Sequence, residues 1–262
     1  GLDSRTIAAS LKDSKNNIKA YSYYYKNSHR EDYYSKKIAK TYGWPIQSLE
    51  IQPGYLWDKI EQLSEITKCN VDFTHPRQIA FTEYLSQFGE LFINGVWGCI
   101  LFNDMEVSDD INFDQQVEAV LKKIIRTGGL QLAEDLWEDW GLDGNFPSYI
   151  KLKVAQLLKE INIIESPNAR IRAFKSIHWA PRWTSQGLDV FAAYNPVSVP
   201  YYDDEICKFA CTLPERILEK RQIQIEYVKL KAPELAKITW QEHRPFNLYN
   251  YYRINFLKLN FF

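Results

Sequence analysis

The chain has 262 residues, 45% hydrophobic and 25% charged, enough to bury a sizeable core in a globular protein. A formal net charge of -1 gives no electrostatic reason to expect nucleic acid, and no apolar run approaches the ~18 residues that a membrane helix needs. Its four cysteines are scattered rather than arranged as a framework, which points to a reducing, cytoplasmic setting without a membrane partner.

The stretch "GLDSRTIAASL" joins a small-residue turn to helix formers. It predicts a helix over Thr6 to Leu11, capped by Asp3 or Ser4. Such a turn also presents free backbone N–H groups at the positive end of a dipole, an arrangement that holds phosphate. Ile18 to Tyr25, "IKAYSYYY", is β-branched and aromatic and predicts a strand. In "EDYYSKKIAKTYG" Tyr34, Ile38 and Tyr42 share a helical face, and Gly43 ends it. A strand over Ile46 to Ile51 follows, then a Pro53-Gly54 turn and the helix "YLWDKIEQLSEIT", with Leu56, Ile60 and Leu63 at core spacing. A further helix is predicted over Gln78 to Phe88, stopping at Gly89, and Leu91 to Ile93 reads as a buried strand entering a glycine-bracketed loop. This alternation is the pattern of an α/β fold, a parallel sheet with crossover helices.

The texture changes after Asp104. A polar, acidic stretch leads into amphipathic helices over Phe113 to Arg126, Gln131 to Trp140 and Tyr149 to Ile164. Val117, Val120, Leu132, Leu136, Trp140, Val154 and Leu158 are their expected core residues. The remainder reads as helical with proline breaks. The predicted organisation is therefore an α/β part, 1–104, followed by a mostly helical part, 105–262, of the same domain.

In a parallel α/β sheet, ligands bind where strand ends lead into helices. "GLDSR" and "NGVWGCILF" are the two loops that qualify. Together they resemble the asparagine synthetase family of ATP pyrophosphatases, with its Ser-Gly-Gly-Leu-Asp-Ser loop and its Gly-x-Gly-x-Asp-Glu-Leu-Phe-Gly-Gly loop. "GLDS" at 1–4 matches the tail of the first; Gly95, Gly98, Leu101 and Phe102 match the second. "NPVSVPYYDDEICKFACTLPERI" resembles the family's Pro-Phe-Leu-Asp segment, with Pro200, Asp203, Leu213 and Pro214 matching.

The resemblance implies an adenine-nucleotide hydrolase-like fold that binds ATP and Mg²⁺. ATP would adenylate a carboxylate, aspartate's side chain foremost, and ammonia would displace AMP to leave an amide and pyrophosphate. It implies nucleotide contacts from Gly1, Leu2, Asp3, Ser4, Arg5, Gly95 and Gly98, with Asp3 as a metal ligand. Arg5 stands where Ser is usual, either gripping phosphate or solvated in the first helical turn. Tyr21 to Tyr25 lie on the strand that frames adenine in the family. The catalytic lysine of the family's late helix has three candidates here, Lys220, Arg221 and Lys229. Implied partners are a small carboxylate substrate, ammonia, and a glutaminase domain upstream or in a separate chain. The family's loop also begins earlier than Gly1, after a strand, so the expectation is a fragment of a longer polypeptide.

One departure bears on the chemistry. The family's Asp-Glu pair is Cys99-Ile100 here, and neither residue suits Mg²⁺. Asp104, a few residues on, could replace them only along a different loop path. The same departure favours an alternative, a degenerate, non-catalytic nucleotide-binding or interaction domain of the same fold. A tRNA-modifying relative is disfavoured by the lack of basic charge. Cys207 and Cys211 are read as core residues rather than a metal pair, and His29, His75, His178 and His243 show no metal-ligand spacing. Arg182, among the aromatics of "HWAPRW", is a candidate for cation–π contact.

Overall fold

A computed structural model describes residues 1–28, 30–85 and 87–254; His29 and Ser86 fall outside the described residues. The elements on which the site depends run in this order: α1 (Leu2–Leu11), β1 (Ala20–Tyr25), α2 (Asp32–Thr41), β2 (Ile46–Ile51), α3 (Tyr55–Thr67) and β3 (Phe92–Ile93). They continue with α4 (Phe113–Ile124), α5 (Gly129–Asp139), α6 (Phe146–Glu160), α7 (Pro167–Phe174), β4 (Val197–Ser198), α8 (Asp204–Thr212) and α9 (Gln222–Lys231). Single turns of helix fill much of the rest. The fold is mixed α/β with helices predominating.

The parallel pairing expected from the alternation is present, but in two small sheets. β1 and β2 pair in parallel from Ala20 opposite Ile46 to Tyr25 opposite Ile51, and α2 makes the crossover. β3 pairs in parallel with β4, Phe92 opposite Val197 and Ile93 opposite Ser198. The single sheet of the expectation is thus two ladders. The second ladder joins residues on both sides of position 104, so the helical part supplies a strand to the α/β part. A two-residue strand carries no readable alternation, which is why β4 escapes a periodicity search.

Helix boundaries follow local chemistry. Asn112 and Gln115 form a reciprocal capping box at the start of α4, and Ser166 and Asn145 cap α7 and α6 ahead of a proline in the first turn. Gly54, at φ +82, turns the chain into α3. The helix expected over Gln78 to Phe88 is instead a 3₁₀ turn, Arg77–Phe81, joined to a single α-turn, Thr82–Leu85. Its buried residues, Ile79, Phe81 and Leu85, serve two different core clusters, which one α-helical stripe does not do.

The core is divided into clusters. Leu2, Ala8 and Ala9 of α1 pack on Ile225 and Val228 of α9 and on Leu235, Ala236, Trp240 and Leu248. A second cluster combines Trp97, Ile100, Leu101 and Phe102 with Tyr201, Ala210 and Leu218. A third joins Val117 and Val120 of α4 to Val154 and Leu158 of α6 and Ile171 and Phe174 of α7. The core assignment fails for α5, where no residue is buried and Leu132 and Trp140 stand 61% and 67% exposed. α5 packs chiefly on α6, and its other apolar flank, with Leu132 and Trp140, stays exposed.

Candidate functional site

α1 begins at Leu2, and Asp3 and Ser4 lie inside its first turn. No side chain caps it, which corrects the expectation that Asp3 or Ser4 caps a helix opening at Thr6. Leu2 turns its side chain into the core, while Gly1 and Ser4 are exposed.

The turn after β3 folds back onto this helix start. A Cβ on Gly95 would lie 3.2 Å from the Ser4 amide nitrogen. A Cβ on Gly98 would overlap the Asp3 carboxylate and the Tyr201 ring, so only glycine permits this approach. Trp97, between them, adopts a left-handed φ of +79 and opens the single helical turn Gly98–Leu101. The two loops singled out in the sequence therefore converge, and Tyr201 of the "VPYYDD" segment joins them.

Arg221 completes the group. Its guanidinium donates to the Asp3 carboxylate and also to Gln224 Oε1, at 2.8 and 2.9 Å. Gln224 Nε2 donates to Asp3 Oδ1 at 3.0 Å and to the Tyr201 hydroxyl at 2.9 Å. Tyr201 donates to the Asp3 carbonyl at 3.4 Å. Burial, then the Asp3 charge, pushes the Tyr201 hydroxyl up to about 12. Arg221 reaches Asp3 from a strained turn, since Lys220 and Arg221 both take left-handed φ values, +50 and +63. Asp104 holds that turn, its Oδ1 accepting the Lys220 backbone N–H at 3.3 Å and its own N–H donating to the Leu218 carbonyl.

The other sequence candidates sit elsewhere. Lys220 is exposed and pairs with Glu219 at 2.9 Å. Lys229 pairs with Glu226 at 2.7 Å and lies over the Tyr249 ring. Of the three late cations, only Arg221 meets the loops. Arg5 is neither solvated nor turned to a phosphate. It is 3% exposed and donates to the carbonyls of Leu235, Ile238 and Thr239 at 3.2, 2.8 and 2.9 Å. Burial lowers its guanidinium to about 10. Asp203 caps α8, accepting from the Glu205 and Ile206 amides. The core reading fails for Cys211, which is exposed, while Cys207 is half-buried and donates to the Tyr201 carbonyl. Tyr21 packs against Phe88 and Phe191. Cations over the "HWAPRW" aromatics come from Lys175 and Arg126, whereas Arg182 donates to the His178 carbonyl.

Tyr201, Gln224 and Lys175 were not singled out by sequence. Tyr201 occupies the aromatic position of the Pro-Phe-Leu-Asp segment, the one available signal. Lys175 starts a π-helical turn, Lys175–Trp179, that packs against Gly98–Leu101. Single π turns are frequent at functional sites. Cys99, on the Gly98–Leu101 turn, is exposed. Its crowded setting, and next the Asp3 charge, push the thiol up, while Arg221 and Lys175 pull the other way.

Mg²⁺ does not fit these donors. Asp3 is the carboxylate at the loops, and its Oδ1 is already taken by Arg221 and Gln224. Cys99 offers a soft sulfur, Ile100 nothing, and Asp104 is engaged with the Lys220 turn. Among the described residues, no group of three or more His, Cys, Asp or Glu side chains could hold a metal ion. Anion chemistry has the first-turn amides of α1 and the Arg221 guanidinium to draw on, the latter already paired with Asp3. Beyond Tyr202 an open concavity of 510 Å³ is lined by Ser198, Pro200, Tyr202, Asp203 and Ile206, at the carboxyl end of β4.

No family model, curated protein or solved structure matches the chain.

Proposed function

We propose that this chain is the ATP-pyrophosphatase part of an asparagine synthetase-like amidotransferase, taking up nucleotide phosphates between the start of α1 and the Gly95–Gly98 turn. The convergence of that turn on Asp3 and Ser4 carries the reading, because two glycines without Cβ atoms bring a second loop onto a helix N-terminus. The reaction served by such a layout is adenylation of a carboxylate, aspartate's side chain foremost, and amidation by ammonia. The protein's share is to orient the reactants and offset developing negative charge with Arg221. The concavity at the end of β4 offers room for the acceptor beside the site. A glutaminase domain would supply the ammonia. The four free thiols agree with a cytoplasmic setting, and among the described residues no helix is long and apolar enough to cross a membrane.

A second reading, a nucleotide-binding domain without turnover, is favoured by Cys99 and Ile100 and by the engagement of Asp3 with Arg221. One experiment divides the two. ATP binding and pyrophosphate release are measured together, with aspartate and ammonia present. Binding with aspartate-dependent release supports the synthetase. Binding without release leaves the second reading, and absence of binding removes both.

A further inference from the structure

The hairpin of α5 and α6 leaves an apolar row on its surface. α5 turns Trp137 toward α6, where the ring packs against Phe146 and Tyr149, and Glu134 accepts the Phe146 N–H at 2.7 Å. Leu132, Leu136 and Trp140 recur at every fourth position along another side of α5 and its C-cap, and both ends of that row are exposed. Leu142 in the hairpin turn and Tyr149 at the start of α6 are exposed as well. Single exposed leucines are ordinary, whereas a tryptophan-bearing row at helical spacing marks a contact surface. The charge around the row has one sign. From Thr127 to Ile150 the chain has five acids, Glu134, Asp135, Glu138, Asp139 and Asp143, and neither lysine nor arginine. Among the described residues, none of the five is in an ion pair. The cations that flank the stretch are engaged elsewhere, Arg126 with Asp72 and the Trp183 ring, Lys151 with Glu118.

We infer that this face of α5 is a docking surface for a basic amphipathic helix of another protein. The row follows the 3.6-residue repeat, and a partner helix presents its own apolar stripe at the same pitch. A stripe that covers Leu132, Leu136 and Trp140 brings its flanking lysines and arginines to Asp135 and Asp139, which stand beside the row one helical turn apart. Charge decides among the occupants. A second copy that laid α5 on α5 would set five acids against five, and an anionic lipid surface or a nucleic acid would meet the same repulsion. A cationic helix has the complementary sign, and the unpaired acids steer it in from solution. This surface is separate from the loops at Asp3, where neither α5 nor α6 contributes a residue.

Fluorescence anisotropy tests this with the whole chain and a labelled leucine–lysine peptide of about five helical turns, its leucines spaced to form one stripe. Two control peptides are run beside it, one of the same composition with the stripe scrambled and one with glutamate in place of lysine. The striped basic peptide is expected to bind at least about tenfold more tightly than either control. Its binding should weaken near 1 M salt, where the screening length falls to about 3 Å. The double variant Leu132→Ser/Trp140→Ser should weaken it about tenfold, and Asp135→Lys/Asp139→Lys by a similar factor with most of the salt dependence removed. Thermal melting separates a lost surface from a lost fold, and the peptide comparison on the wild type decides the matter even where a variant does not fold. No binding, equal affinity for the three peptides, or unchanged affinity in either folded double variant overturns the inference. So does a dimer in sedimentation equilibrium that Leu132→Ser/Trp140→Ser takes apart, which would give the face to a second copy of the chain.

Discussion

The Arg221 guanidinium donates to the Asp3 carboxylate across a sequence separation of 218 residues, and the two side chains are 15% and 22% exposed. Arg221→Met therefore leaves a mostly shielded carboxylate with Gln224 as its remaining donor. The expected loss is about 2 kcal/mol, below the value for a fully buried pair because water still reaches both groups. The urea midpoint of the variant checks this, and nucleotide affinity should fall with it.

Gly98 tolerates no side chain. Gly98→Ala would drive a methyl into the Asp3 carboxylate and the Tyr201 ring, at an expected cost of about 2–3 kcal/mol. Cys99→Ser next to it, on an exposed side chain, should stay within about 0.5 kcal/mol. Equal destabilisation by the two substitutions in parallel melts would contradict the close approach described here.

Arg5→Met removes a buried donor to three carbonyls. Those carbonyls lie in the Pro233–Ala236 turn and the bend that follows it, so the loss falls on the packing of α1 against that segment. A cost of about 3 kcal/mol is expected, with Arg5→Lys recovering part of it. Denaturant unfolding reads the cost. A neutral result would mean that water replaces the guanidinium.

The helical part offers a contrast inside one pair of helices. Leu158 on α6 is fully buried, and Leu158→Ala should cost about 3 kcal/mol. Leu132→Ser on the exposed flank of α5 should change stability by less than about 0.5 kcal/mol. If differential melting ranked the two the other way, α5 would be packed on something other than α6.

Acid should weaken the fold through two histidines. Burial, then Arg77, lowers His75, and burial, then Arg182, lowers His178, both below the ordinary value of 6.5. In each case the unfolded chain binds the proton more readily. Their contribution to stability is thus whole above pH 6.5 and is lost as pH falls through the lowered folded values. Urea midpoints taken downward from pH 7.5 should decline across that window. The double variant His75→Gln/His178→Gln should flatten the decline.

Local patterns carried much of this architecture. β2 and α3 have the bounds that the sequence predicts, because a Pro-Gly turn separates a β-branched run from a 3.6-residue stripe ending in Leu63. The two loops were legible from their glycines. What stayed hidden depends on distant partners. Arg5 seeks carbonyls 230 and 233 positions away, and nothing beside it in sequence announces them. Leu132 and Trp140 have core spacing, but spacing cannot say whether a second helix is there to cover them. Gln224 and Tyr201 matter through a hydrogen-bond network that no single segment contains.

That network has a temporal side. The carboxylate at position 3 leaves the ribosome long before its guanidinium and amide partners at 221 and 224, and α1 buries its apolar face on α9. Until those late residues emerge, α1 is a single ten-residue helix with little to hold it, too short to persist alone in water. Assembly of this corner is therefore a late, long-range step, and nascent chains stopped before α9 should stay open to proteases along α1.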